Sequence, residues 1–188
     1  MADAVPTIHF ASGEAWEAWL EDNHSSPAGV WMKIAKRGSG IESAGYPEVL
    51  DAALCFGWID GQRKAFDEVF FLQRFTPRRA RSRWSQVNRE TCLRLISEGR
   101  MREAGLAEIE RAKADGRWDA AYAGSRAIEV PEDLERELAK SQKARAAFAA
   151  LKAQERYSIL YQLHDARRPE TRARRLAKFM AMLKAANP

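Results

Sequence analysis

Residues 46 to 92 constrain the fold more than any other stretch, because two patterns follow one another there. Apolar side chains first recur at helical spacing after Pro47 and stop at Gly57, which predicts a short core helix. Two extended runs follow and end at Pro77, which predicts a β-hairpin that turns near Asp67. A helix that leads directly into a hairpin favours a sheet with helices packed against it.

The second run of this hairpin, residues 69–72, is apolar on both faces. This pattern predicts a strand covered on both faces rather than a strand at the edge of a sheet. Residues 7–10 and 30–35 have the β-branched and aromatic content of two further strands. We therefore predict an α+β fold with a small, mainly antiparallel sheet of about four strands covered by helices.

From Pro131 onward the apolar residues recur at helical spacing, as in the stripe within residues 176–183. Several amphipathic helices in succession predict an all-helical C-terminal segment that forms a small bundle. The composition changes to small, polar and β-branched residues just before Pro131, which favours an internal boundary there. We predict that residues 1–125 form the α+β domain and that residues 126–188 form a helical segment packed on it.

Six arginines fall within the sixteen residues from Arg74 to Arg89, and no acidic residue occurs from Val69 to Arg89. Arginine donates paired hydrogen bonds to phosphate and carboxylate groups, and a serine-capped helix start in the same segment would add free backbone N–H groups. We predict a pocket here for a small anionic ligand or for the acidic tip of a partner protein. Its candidate ligand-binding residues are Trp58, Asp60, Arg74, Arg78, Arg79, Ser82, Trp84, Ser85 and Asn88.

The same residues also fit a structural interpretation. The arginines would then form a solvated loop, with Arg74 or Arg78 paired with Asp60 to fix the hairpin. Asn88 shares the predicted buried face of its helix with Val87, where an unpaired amide costs roughly 1–3 kcal/mol. Its amide therefore needs partners, either in a structural network or in a ligand.

The charge of the chain favours anionic partners. The 188 residues carry a formal net charge of +5, and the pI is near 9.4. A second basic concentration runs from Arg167 to Lys184 and is opposed only by Glu170. Because arginine and aromatic residues are interleaved after position 74, nucleic acid is the alternative partner.

Two absences in the sequence bear on the compartment. No run approaches the roughly 20 apolar residues that would span a bilayer. Residues 1–6 lack the basic and apolar regions of a secretory signal. We therefore predict a cytoplasmic protein with no membrane span.

Catalysis has little support in the sequence. Nucleophile-elbow, phosphate-loop, dinucleotide-binding and zinc-protease motifs are missing, and the three histidines are predicted to lie in a strand, a loop and an apolar helical stripe. Cys55 and Cys92 lack the spacing of metal ligands and are predicted to be reduced core residues. We predict no catalytic residue, no metal and no cofactor; an enzyme that uses Asp60 as an acid or base is the further alternative.

Ordered motifs run through the centre of the chain: Cys55-Phe56-Gly57-Trp58-Ile59-Asp60-Gly61, then Phe75-Thr76-Pro77-Arg78-Arg79, then Trp84-Ser85 with Asn88. A later motif is Thr171-Arg172-x-Arg174-Arg175. In order and spacing these motifs resemble the YdeI/OmpD-associated, or bacteriocin-protection, family over most of the chain. The resemblance implies a link to tolerance of bacteriocins and of antimicrobial cationic peptides.

This implied role has to agree with the charge. A protein of net charge +5 repels cationic peptides, so protection by sequestering them is not expected and the effect would be indirect. We therefore predict a non-enzymatic cytoplasmic binding protein that acts through an anionic ligand or an acidic partner.

Overall fold

The structure is a computed structural model that describes residues 5–124 and 127–186. The chain divides into two compact units, one that runs through Ala121 and one that begins at Tyr122. The predicted border between residues 125 and 126 lies outside the described residues and stays a prediction. Residues 1–4, which make up most of the stretch predicted to lack a secretory signal, lie outside them as well.

The N-terminal unit contains four strands and four helices within its described residues. In chain order these are β1 (Thr7–His9), α1 (Gly13–Asn23), β2 (Val30–Ala35), α2 (Tyr46–Cys55), β3 (Trp58–Ala65), β4 (Phe70–Pro77), α3 (Gln86–Ser97) and α4 (Glu103–Ala114).

The four strands form one sheet in the order β1-β2-β4-β3. The β2–β4 and β3–β4 pairs are antiparallel, and β1 pairs with β2 in parallel. β4 therefore is not an edge strand, as predicted. The predicted cover on both of its faces is incomplete, because Leu72 is buried but Phe70 is only half-buried. A register shift between Asp60 and Arg63 marks a bulge in β3. Alternation counted from Trp58 therefore does not give the sheet face of the residues after the bulge.

The sheet has two different faces. On the core face, Val30, Met32 and Ile34 are buried, because side chains alternate along β2. On the outer face, Trp31 and Lys33 are only half-buried. The register places Phe70, Leu72 and Arg74 of β4 and Lys64 of β3 on this same outer face.

Aromatic side chains dominate the core of the N-terminal unit. Trp16, Trp58 and Phe75 are each 0% exposed. The ring of Trp16 packs edge-on against Trp58 with 6.1 Å between centroids, and its indole N–H donates to the carbonyl of Val49 at 3.0 Å. This contact joins α1 to α2 beneath the sheet.

Helix ends follow the local chemistry. Ser12 caps α1 and Ser85 caps α3, each by accepting a hydrogen bond from a backbone N–H in the first turn. Gly57 ends α2 with φ = 74°, and a Cβ there would lie 2.9 Å from the carbonyl oxygen of Ala104. Only glycine satisfies both conditions, so α4 can approach α2 closely.

From Glu132 onward, the described residues of the C-terminal unit form four helices joined by short loops. It contains α5 (Glu132–Ala139), α6 (Gln142–Ala150), α7 (Ala153–Asp165) and α8 (Pro169–Ala185). Its own core includes Leu134, Leu163 and Leu183, each at most 1% exposed. A four-stranded sheet with helices, followed by an all-helical unit, confirms the predicted α+β class.

Two arginines attach α8 to α7. Arg172 makes a two-point ion pair with Asp133, at 2.6 and 2.8 Å, and also donates to the carbonyl of Leu163 at 2.8 Å. Arg175 donates to the carbonyl of Gln162 at 2.5 Å. Both carbonyls lie in the last turn of α7, where the negative end of the helix dipole attracts cations. Part of the basic character of α8 is therefore structural.

Candidate anion-binding site

Trp58, the first of the predicted ligand-binding residues, lies in the core. Its side chain is fully buried, and its indole N–H donates to the carbonyl of His24 at 2.7 Å. Trp58 therefore cannot contact a ligand in this conformation, and we assign it a packing role instead.

Asp60 is held by a tyrosine. Tyr46 of α2 donates its hydroxyl to Asp60 Oδ2 at 2.7 Å, which ties α2 to β3. Burial, and then the hydrogen bond and negative charge of Asp60, raise the pKa of the Tyr46 phenol. The phenol therefore stays protonated at neutral pH and acts as a donor. The structural interpretation pairs Asp60 with Arg74 or Arg78. Tyr46 holds Asp60 in place of Arg74, whose side chain lies on the other face of the sheet.

Arg78 and Trp84 are brought together, as predicted, but inside the unit. The guanidinium carbon of Arg78 lies 3.5 Å from the centroid of the Trp84 ring, and both side chains are at most 4% exposed. Trp84 also packs edge-on against Trp118 at 4.8 Å. The stacked pair fixes the loop between β4 and α3.

The three small polar residues of the prediction shape this loop. Ser82 Oγ accepts from the backbone N–H of Arg79 at 2.9 Å, and Ser85 Oγ accepts from that of Asn88 at 3.1 Å. The buried face predicted for α3 is wrong in part, because Val87 is 55% exposed and Asn88 is only half-buried. Solvent can therefore meet part of the hydrogen-bonding need of the Asn88 amide.

Arg74 lies apart from this loop, on the outer face of the sheet. Its Nη2 donates to the carbonyl of Ala28, and its guanidinium carbon lies 5.7 Å from the centroid of Trp31. Its Nη1 is buried and has no hydrogen-bond partner among the described residues. Burial, and then the positive charge of Arg79, lower the pKa of Arg74. The group is thus cationic, partly desolvated and short of one acceptor.

One further cation shares the Trp31 ring with Arg74, and another acts on Arg74 through its charge. Lys64 Nζ lies 4.1 Å from the centroid of the same Trp31 ring, and the exposed Arg79 is close enough for its charge to act on Arg74. None of the residues that the four described strands place on the outer face is Asp or Glu. We call Trp31, Lys64, Arg74 and Arg79 the outer-face cluster. Its chemistry suits an anion that accepts hydrogen bonds.

Sequence reasoning identified Arg74 and Arg79 but missed Trp31 and Lys64. Alternation along β2 was a usable signal for Trp31, because its neighbours in the strand are apolar core residues. Lys64 carried no such signal, because it reaches Trp31 across β4 and its face depends on the bulge in β3.

The two cysteine thiols lie inside the N-terminal unit. Cys55 and Cys92 are free and buried, and burial raises their thiol pKa values to about 11 and about 12. Both thiols are therefore protonated at neutral pH.

Residues 5–124 and 127–186 contain no group of three or more side chains placed to hold a metal ion. No helix in these ranges is both long and apolar enough to cross a membrane.

Comparison with known proteins gives two family matches. Residues 8–108, more than half of the chain, match the model of a domain of unknown function (DUF8412). Residues 127–186 match the model of the family described as bacteriocin-protection, YdeI or OmpD-associated, which confirms the resemblance. This second match covers the helical unit, whereas the motifs between Cys55 and Asn88 lie in the first.

No curated protein and no solved structure matches the chain. The family assignment therefore rests on the two models, one for each unit. The chain belongs to the family defined by this domain of unknown function, and its C-terminal unit is of the bacteriocin-protection, YdeI or OmpD-associated family.

Proposed function

We propose that this protein is a non-enzymatic binding protein whose outer-face cluster holds a phosphate or carboxylate group of an anionic ligand. The observation that carries the proposal is the state of Arg74. Its Nη1 is buried without a partner while Nη2 is held by the carbonyl of Ala28. A guanidinium group that is held at Nη2 and has no acceptor at the enclosed Nη1 gains a partner from a ligand oxygen once neighbouring side chains move aside.

The energetics support an anion rather than a neutral ligand. A buried donor without a partner costs roughly 1–3 kcal/mol, and an oxygen of the ligand would remove this cost. The positive charge of Arg79 acts against Arg74, and a negative ligand would relieve this repulsion, while Lys64 adds a further cation over the Trp31 ring. Two positive side chains near a half-buried guanidinium group therefore favour an anion of more than one charge.

The distribution of charge agrees with an indirect part in bacteriocin protection. The N-terminal unit has seventeen Lys and Arg residues against eighteen Asp and Glu residues, whereas the C-terminal unit has fourteen against eight. The excess positive charge thus lies in the unit that matches the bacteriocin-protection family. That unit repels cationic peptides, so we infer that it contributes by holding an acidic partner in the cell.

Isothermal titration calorimetry of the whole chain with tripolyphosphate tests the proposal. We expect saturable binding with one ligand per chain, which weakens as sodium chloride is added. Pyrophosphate and citrate at the same ionic strength rank phosphate against carboxylate. Heats that do not exceed those of a sodium chloride control for any of the three anions would overturn the proposal.

A further inference from the structure

The outer face of the sheet carries aromatic rings as well as cations. Phe66, just after β3, is 47% exposed, and Lys33 Nζ lies 4.6 Å from its ring centroid. Phe70 of β4 is half-buried, and its ring lies 5.2 Å from that of His9 in an edge-on contact. These rings lie on the outer face, outside the aromatic core of the unit.

Strand register orders these groups into rows. Trp31 pairs with Arg74, and four residues along β2 Ala35 pairs with Phe70, which separates the two rows by about 13 Å. Between them, Lys33 and Lys64 both pair with Leu72, one on each side of β4. Lysines therefore lie midway between an aromatic row that includes Phe70 and the row that contains Arg74 and Trp31.

We propose that this face binds single-stranded nucleic acid, with phosphates at the outer-face cluster and at Lys33, and with bases stacked on Phe66 and Phe70. The inference rests on the proposed anion site and names its ligand class. Aromatic platforms beside a positively charged groove are the arrangement that binds single strands without sequence preference.

A single strand fits better than a duplex or an acidic protein. In a duplex the bases are stacked on one another, so exposed phenylalanine rings on a sheet gain nothing from it. An acidic protein surface would pair with the lysines but has no flat rings to match Phe66 and Phe70. Mixed cations and rings therefore point to a ligand that itself alternates charge and aromatic surface.

Fluorescence anisotropy with a labelled oligothymidylate tests the inference, with an abasic oligomer of the same phosphate number as the matched probe. We expect the abasic oligomer to bind about tenfold more weakly, because stacking is lost while the charge is kept. Affinity for both probes should fall steeply with salt. Equal affinity of the two oligomers, or equal affinity for the duplex form, overturns the inference and leaves the anion site standing.

Phe66→Ala separates stacking from charge. Its side chain is largely exposed, so the fold should survive, and we expect weaker oligothymidylate binding by about fivefold with unchanged tripolyphosphate binding. Leu106→Ala removes a similarly exposed apolar side chain from α4 and should change neither. If Phe66→Ala leaves oligothymidylate binding intact, stacking is refuted. If the wild-type chain binds neither oligomer nor tripolyphosphate, the anion site fails as well.

Discussion

The guanidinium group of Arg172 donates three hydrogen bonds within the C-terminal unit, whereas that of Arg74 donates one within the N-terminal unit. Both arginines come from basic stretches of the sequence. Arg172 faces a carboxylate and a helix end, and Arg74 faces other cations and a tryptophan ring. The difference shows that the density of arginines in the sequence does not separate structural from binding roles. What separates them is whether the fold already supplies hydrogen-bond acceptors for the guanidinium group.

The largest effect should come from the satisfied arginine. Arg172→Ala removes three hydrogen bonds and leaves the Asp133 carboxylate without its charged partner, so we expect the free energy of unfolding of the C-terminal unit to fall by about 2 kcal/mol. Urea denaturation followed by circular dichroism measures this. Arg174→Ala removes an exposed cation of the same helix and should change stability by less than about 0.5 kcal/mol. Equal losses in the two variants would break the comparison.

The same ion pair should make the C-terminal unit sensitive to acid. The hydrogen bonds from Arg172 lower the pKa of Asp133 below its usual value. Because the folded pKa lies below the unfolded value of about 3.9, the contribution of the pair is complete above that pH. It is lost as the pH falls through the folded pKa.

Denaturation of the wild type and of Asp133→Asn at neutral pH and near pH 3 checks this dependence. We expect the wild type to be the more stable of the two at neutral pH and this advantage to shrink in acid. An advantage that stays constant over the range would show that the pair does not titrate with folding.

The unsatisfied arginine should affect binding rather than stability. Arg74→Gln removes the free donor and its charge, so we expect tripolyphosphate to bind at least about tenfold more weakly, or ~1.4 kcal/mol. The melting temperature should hardly change, because one backbone contact is lost and one unpaired donor is removed. Arg74→Lys keeps the charge without the planar fork and should bind with intermediate affinity. A loss of stability without a loss of affinity would make Arg74 structural too.

The smallest effect should come from the exposed member of the cluster. Arg79→Gln removes a charge that acts on Arg74 through solvent, so we expect about a threefold loss of affinity that disappears at high salt. Lys113→Gln is the charge-matched control, because Lys113 pairs with Glu110 on α4 and should have no effect. Calorimetric titrations at low and high salt compare the two variants.

Local chemistry made part of this molecule predictable. Serine just before a helix commonly acts as its N-cap, and Ser85 caps α3 in this way. The apolar run of residues 69–72 likewise predicted that β4 is not an edge strand, because apolar side chains on both faces are typical of strands with little solvent-exposed surface. These features depend on neighbours in sequence, and the sequence contains them.

Long-range packing determined the rest of the site. Trp58 and Asp60 share a strand face with the core, so one is sealed and the other meets Tyr46 from α2. Lys64 reaches Trp31 only because of the register of three strands and the bulge in β3. Such contacts join residues far apart in the chain, and side-chain type alone does not encode them.

The most direct test follows the side-chain Nε–Hε nuclear magnetic resonance signals of Arg74 and Arg172, assigned by substitution, as tripolyphosphate is added to the whole chain. The account predicts that the Arg74 signal shifts and then saturates, while the Arg172 signal stays in place because its donors are already occupied. A shift of Arg172 without Arg74, or no shift of either at saturating ligand, would contradict it.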